Sequence, residues 1–88
     1  NQFVVDQNRV MAERLEKLAD DDLDLQLTAG WEHSFGYKPS DAELSRARDF
    51  VQKQTDLFKE RKDKTPELTA MANYCQALMS ANRFVYVD

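Results

Sequence analysis

The chain has 88 residues, 42% apolar and 32% charged, with only two glycines and two prolines; this is one small globular domain with too few turn formers for a strand-rich sandwich, and the expected class is all-α. A formal charge of −4 argues against a broad nucleic-acid face, and no run approaches the roughly 18 apolar residues of a membrane span. The single cysteine, Cys75, can form neither an internal disulfide nor a four-thiolate zinc site.

Phe3, Val4, Val10, Met11, Leu15 and Leu18 fall largely at spacings of three, four and seven, with charged residues between them, which predicts an amphipathic helix over about residues 3–19. The cluster Asp20, Asp21, Asp22 follows. An aspartate just ahead of a new apolar period suits a helix N-cap and the positive end of the helix dipole, so a second helix is expected over 22–35. Leu23, Leu27, Trp31 and Phe35 recur every four residues there, and Gly30 beside Trp31 suggests close packing.

Gly36 and then Pro39 form a helix stop, since glycine accepts the left-handed conformation and proline cannot continue the ladder. Ser40-Asp41-Ala42-Glu43 reads as a capping box and opens a third helix over about 41–61, carrying Leu44, Ala47, Phe50, Val51, Leu57 and Phe58 at helical spacing. The run Lys59 to Lys64 alternates in sign and suits a solvated loop. Thr65 as N-cap and Pro66 at the first helical position then start a fourth helix over 66–80, with Leu68, Met71, Ala72, Cys75, Leu78 and Met79 along one stripe. Asn82 is expected to end it. The remainder, 83–88, reads as a short extended tail in which Phe84 and Tyr86 point to one side and pack on the bundle, while Val85 and Val87 point to the other. The expected architecture is therefore a small four-helix bundle-like domain with a docked C-terminal tail.

Several chemistries can be weighed on these residues. Asp20, Asp22 and Asp24 match the first, third and fifth positions of a calcium loop, but the sixth position is Leu25 in place of Gly and the twelfth is Trp31 in place of Glu. An acidic loop capping the second helix explains them better. His33 is the one imidazole, and its only nucleophilic partner in the chain, Cys75, lies on an apolar stripe where a thiol behaves as a small hydrophobe. No C-x-x-C-H run is present, so haem attachment within these residues is not expected. We expect no catalytic residues, no metal and no cofactor in this segment. Trp31, Tyr37 and Tyr86 are the candidates for an aromatic ligand-binding surface, although aromatics at helical spacing ordinarily fill a core.

The stretch Phe35-Gly36-Tyr37-Lys38-Pro39-Ser40-Asp41-Ala42-Glu43-Leu44 resembles an "LGRxPTxxEL" hinge, and residues Asn73 to Asp88 resemble an "xLCQALLNSNEFLYVD" ending. Both are similar to the planctomycete-specific family of domains of unknown function numbered 1553, and Asn1 to Asn8 with Ala12 to Leu15 resemble the run that precedes the hinge there. Gly36, Pro39, Leu44, Leu78, Asn82, Phe84 and Tyr86 agree with the pattern, whereas Tyr37, Ser80 and Arg83 depart from it. The resemblance implies the C-terminal piece of a large exported bacterial protein that often carries a cytochrome c-like domain at its N-terminus, working in the periplasm or cell envelope. It supplies no reaction. It implies a structural or docking domain whose partners are other domains of the same protein or a separate protein; a carbohydrate- or small-molecule-binding module is the alternative.

Overall fold

The computed structural model describes the backbone of residues 2–86 and the side chains of residues 7–81. Four helices follow one another: α1 (Gln2–Ala19), α2 (Leu23–Phe35), α3 (Asp41–Glu60) and α4 (Pro66–Tyr86). The domain is an all-α, four-helix bundle-like unit, with no strand among the described residues.

The boundaries follow from local chemistry. α1 ends where Asp20 takes a left-handed conformation at φ 44°, which aspartate tolerates better than most residues. Asp22 caps α2, its carboxylate accepting from the Leu25 amide at 3.0 Å. Gly36, at φ 81°, closes α2 through its own amide, which donates to the Glu32 carbonyl at 2.8 Å. The capping box of α3 is complete: Glu43 N–H donates to the Ser40 hydroxyl at 3.1 Å and Ser40 N–H to the Glu43 carboxylate at 2.9 Å. Two orphan donors are satisfied by one pair of side chains.

Two sequence expectations at α4 need correction. Thr65 stands just ahead of Pro66 as expected, yet its hydroxyl does not cap the helix. Thr65 holds the N-cap position, its carbonyl accepting from the Thr69 amide at 2.9 Å, but its hydroxyl accepts from Arg9 of α1 at 3.1 Å, and Asp63 braces the turn by accepting from the Thr65 amide at 2.7 Å and the Thr69 hydroxyl at 3.0 Å. A carboxylate two residues upstream is the stronger acceptor. The second correction concerns the extended tail: α4 runs through Asn82 to Tyr86. Asparagine costs a helix less than about 1 kcal/mol, and neither Gly nor Pro follows it, so each further residue keeps its backbone hydrogen bond. Helical positions step by about 100°, so positions 84 and 86 no longer share a side as they would in a strand. The expected packing of the Phe84 and Tyr86 rings falls outside the described side chains, as do residues 87 and 88.

The packing has a simple plan. α1 packs on α2 and α4, α3 packs on α2 and α4, and α2 packs on α4, whereas α1 and α3 do not meet. In cross-section this is a rhombus with α2 and α4 on its short diagonal. α4 accordingly gives most to the core, through Ala70, Met71, Tyr74, Cys75 and Leu78; α1 adds Ala12 and Leu15, α2 adds Leu27, and α3 adds only Ala47 and Val51. The buried Tyr74 hydroxyl donates to the Leu27 carbonyl at 2.9 Å and ties the diagonal together. Gly30 belongs to the same contact. A Cβ there would lie 3.1 Å from Leu15 Cδ1 and 3.4 Å from Tyr74 Cε2, so the absence of a side chain lets the helices approach.

Candidate functional site

α3 buries a stripe of small residues, Ala47 and Val51, and this places its larger apolar side chains at the edges of the helix. Phe50 stays 37% exposed. It shares a shallow depression of about 240 Å³ with Trp31 and Phe35 of α2 and with Ala47, Ala77 and Ala81. The alanines keep the floor low and the rings form the walls. Arg46 and Glu43 line the same depression, and the Glu43 carboxylate is already engaged in the capping box.

The aromatic side chains form a chain of contacts. Trp31 and Phe35 have centroids 4.9 Å apart at 55°, and Phe35 and Tyr37 lie 6.0 Å apart at 34°. Tyr37 is 56% exposed because it follows the helix-ending Gly36. Two of the three expected aromatic candidates, Trp31 and Tyr37, are thus brought into one cluster through Phe35; the Tyr86 ring lies outside the described side chains. Successive tilts do not make a coplanar stacking platform. The Trp31 indole N–H is buried and has no hydrogen-bond partner among the described residues, although a tryptophan donor usually finds one when buried.

The structural positions expected from the sequence divide into two groups. Gly36, Ser40 and Glu43 hold the α2–α3 turn, and Pro39 follows within it, half-buried. Thr65 and Pro66 stand at the α3–α4 turn, and Asn82 lies inside α4. These are scaffold positions. Phe35, Phe50 and Arg46 are the members of the aromatic depression that pattern reading did not single out. Phe50 and Leu57 are seven residues apart, hence on one edge of α3 beside the Ala47–Val51 stripe, and that offset is the signal that marks them as peripheral.

The remaining candidate chemistry resolves into ordinary roles. Cys75 is buried, and burial pushes its thiol up to about 11, so it is protonated at neutral pH and a poor nucleophile. His33 is exposed on α2. Two carboxylates of the calcium-like run are separately engaged, Asp22 capping α2 and Asp24 making a two-pronged pair with Arg48 of α3 at 2.8 and 2.9 Å, while the Asp20 backbone carbonyl accepts from buried Gln26. The Arg48 hydrogen bonds hold the Asp24 carboxyl below the usual carboxylate value. Among the described residues, no three metal-type side chains gather into a cluster, and no helix is long and apolar enough to cross a membrane.

Comparison with protein-family models, curated proteins and solved structures finds no match for this chain.

Proposed function

We propose that this chain is a non-catalytic helical docking domain of a larger protein, and that the aromatic depression between α2, α3 and α4 receives a neighbouring domain of that protein. The observation that carries the reading is the placement of Phe50: α3 turns small residues inward and leaves an aromatic at the surface next to Trp31 and Phe35. Aromatic rings in a shallow concavity are the usual anchors of protein contacts. The buried Trp31 indole N–H beside them has no hydrogen-bond partner among the described residues. The resemblance of the hinge and ending motifs to the planctomycete-specific family supports a position at the C-terminal end of an exported, in many members haem-carrying, protein.

The gene and a binding experiment test this together. A longer reading frame with an export signal and a C-x-x-C-H motif upstream is expected, and the upstream domain, added to the labelled chain, should shift the amides of Trp31, Phe50 and Ala81. Phe50→Glu should abolish that response, with the helical circular dichroism of the variant checking that the fold is kept. A reading frame that starts near Asn1, or an unchanged spectrum, overturns the proposal.

The exposure of Tyr37 favours one second reading, a carbohydrate- or small-molecule-binding surface at the Trp31–Phe35–Tyr37 cluster. Trp31 fluorescence titrated with neutral and acidic polysaccharides should change if that reading is right, and should stay flat if it is not.

A further inference from the structure

An open groove of about 610 Å³ lies on the other flank, between α1, α2 and α4. That is within the range of small-molecule sites, roughly 300 to 1,000 Å³. Its apolar part comes from Met11, Leu78 and Met79, with Gly30 and the protonated Cys75. The two methionines are unbranched and adaptable, which suits a flexible or irregular apolar body.

The polar part is selective in sign. No Asp or Glu among the described residues lines this groove. Its polar lining is Gln7, Asn8, Arg14, His33 and Ser34. Arg14 forms no ion pair among the described residues, so its guanidinium keeps all of its donors for another acceptor. Asn8 adds an independent observation: it is 3% exposed, and its amide nitrogen is buried with no hydrogen-bond partner among the described residues. A buried amide left unfilled is costly in a native structure and calls for an acceptor. The groove between α1 and the α2–α3–α4 junction near Asp20 shows the contrast. It is lined by Glu16, Asp20, Asp21, Asp56 and Glu67, against the single cation Lys59.

We infer that the groove between α1, α2 and α4 is a binding site for a small amphipathic monocarboxylate, with the apolar body on Met11, Leu78 and Met79 and the carboxylate at Arg14, where Asn8 and Ser34 add hydrogen bonds. The site is independent of the docking reading, because the aromatic depression lies on α2, α3 and α4 and shares only Leu78 with it.

Octanoate and octan-1-ol are the probes that separate the two halves of this inference, since they share an apolar chain and differ in charge. In the full chain, octanoate should shift the amides of Asn8, Gly30, Ser34 and Met79 and bind about tenfold more tightly than octan-1-ol, the size expected of one charge-assisted contact. Arg14→Gln, at an exposed position, should bring octanoate down to the affinity of the alcohol and leave the alcohol unaffected. Raising the ionic strength to roughly 0.5 M should weaken octanoate alone. Equal affinities for the two probes in the parent chain, an Arg14→Gln variant that keeps the tenfold preference, or shifts confined to other parts of the domain would each overturn the site.

Discussion

α1 and α3 flank the same α2–α4 pair and never meet, yet they are attached by different means. α1 is fastened by burial: Ala12 and Leu15 are in the core, and Leu15 sits against the bare backbone of Gly30. α3 buries the smaller pair Ala47 and Val51, with Leu44 partly buried beside them, and adds polar bridges, Arg48 to Asp24 of α2 and Gln54 to Asn73 of α4, the latter at 2.9 Å. Burial contributes in proportion to the apolar area removed from water, whereas bridges between half-exposed side chains contribute little and chiefly fix register. The flank held by small residues and bridges is the one that has aromatic surface to spare.

The sharpest way to break this comparison is to truncate one large side chain on each flank. Leu15→Ala should cost about 2–5 kcal/mol in unfolding by denaturant, whereas Phe50→Ala should cost less, about 1–2 kcal/mol, because its larger ring is only partly removed from water. Equal losses would mean that α3 is held by burial after all. Next in size is Gly30→Val. The new Cβ alone already meets Leu15, Tyr74 and Leu78, and such overpacking should cost about 1–3 kcal/mol. A variant as stable as the parent would show that the close approach of α1 is not needed.

Gly36→Ala should cost about 1 kcal/mol, through the left-handed backbone alone, since nothing lies within 4 Å of the new Cβ. Measured beside Gly30→Val, it separates a glycine required by conformation from one required by space. A Gly36→Ala variant that melts with the parent would remove that distinction.

The smallest effect is in pH, and it distinguishes the flanks by sign. Asp24, bound to Arg48, and Asp63, bound to the Thr65 amide, have carboxyls held below their ordinary 3.8. Their contribution is present above that value and is lost as pH falls through the lower folded values. Glu16 of α1 is raised above its ordinary 4.5 by burial, then by the neighbouring Glu67 and Glu13 carboxylates. Its contribution has the opposite sign: it favours folding in acid and is lost as pH rises through its raised folded value. Thermal unfolding followed downward from neutrality should therefore show a slight gain just above 4.5 and then a fall below 3.8. Glu16→Gln should flatten the gain and spare the fall, while Asp24→Asn should do the reverse. If both variants changed the same limb, the two flanks would not be electrostatically separate.

Much of the scaffold was legible from residue types. The Asp22 cap, the left-handed Gly36 and the Ser40–Glu43 box lie where spacing placed them, because capping depends on atoms within four residues of one another. Thr65 also holds the N-cap position ahead of Pro66, but its hydroxyl bonds Arg9 from 56 residues away, which local reasoning does not reach. Local reasoning failed at Asn82, where a mild preference against helix was read as a stop although no glycine or proline enforced one.

Helix number, order and most termini were thus determined by the sequence, since period and capping are short-range properties of the chain. Which apolar residues became core and which became surface was decided by tertiary structure. Phe50 and Val51 are adjacent and equally hydrophobic in pattern, but only the direction from which α2 and α4 approach α3 selects Val51 for burial. Likewise, Asn8, Arg14 and Ser34 are unremarked polar residues along two helices until α1 packs beside α2 and α4 and encloses them in one groove. A site assembled from residues distant in the chain has no local signature, because its geometry exists only once the helices have crossed.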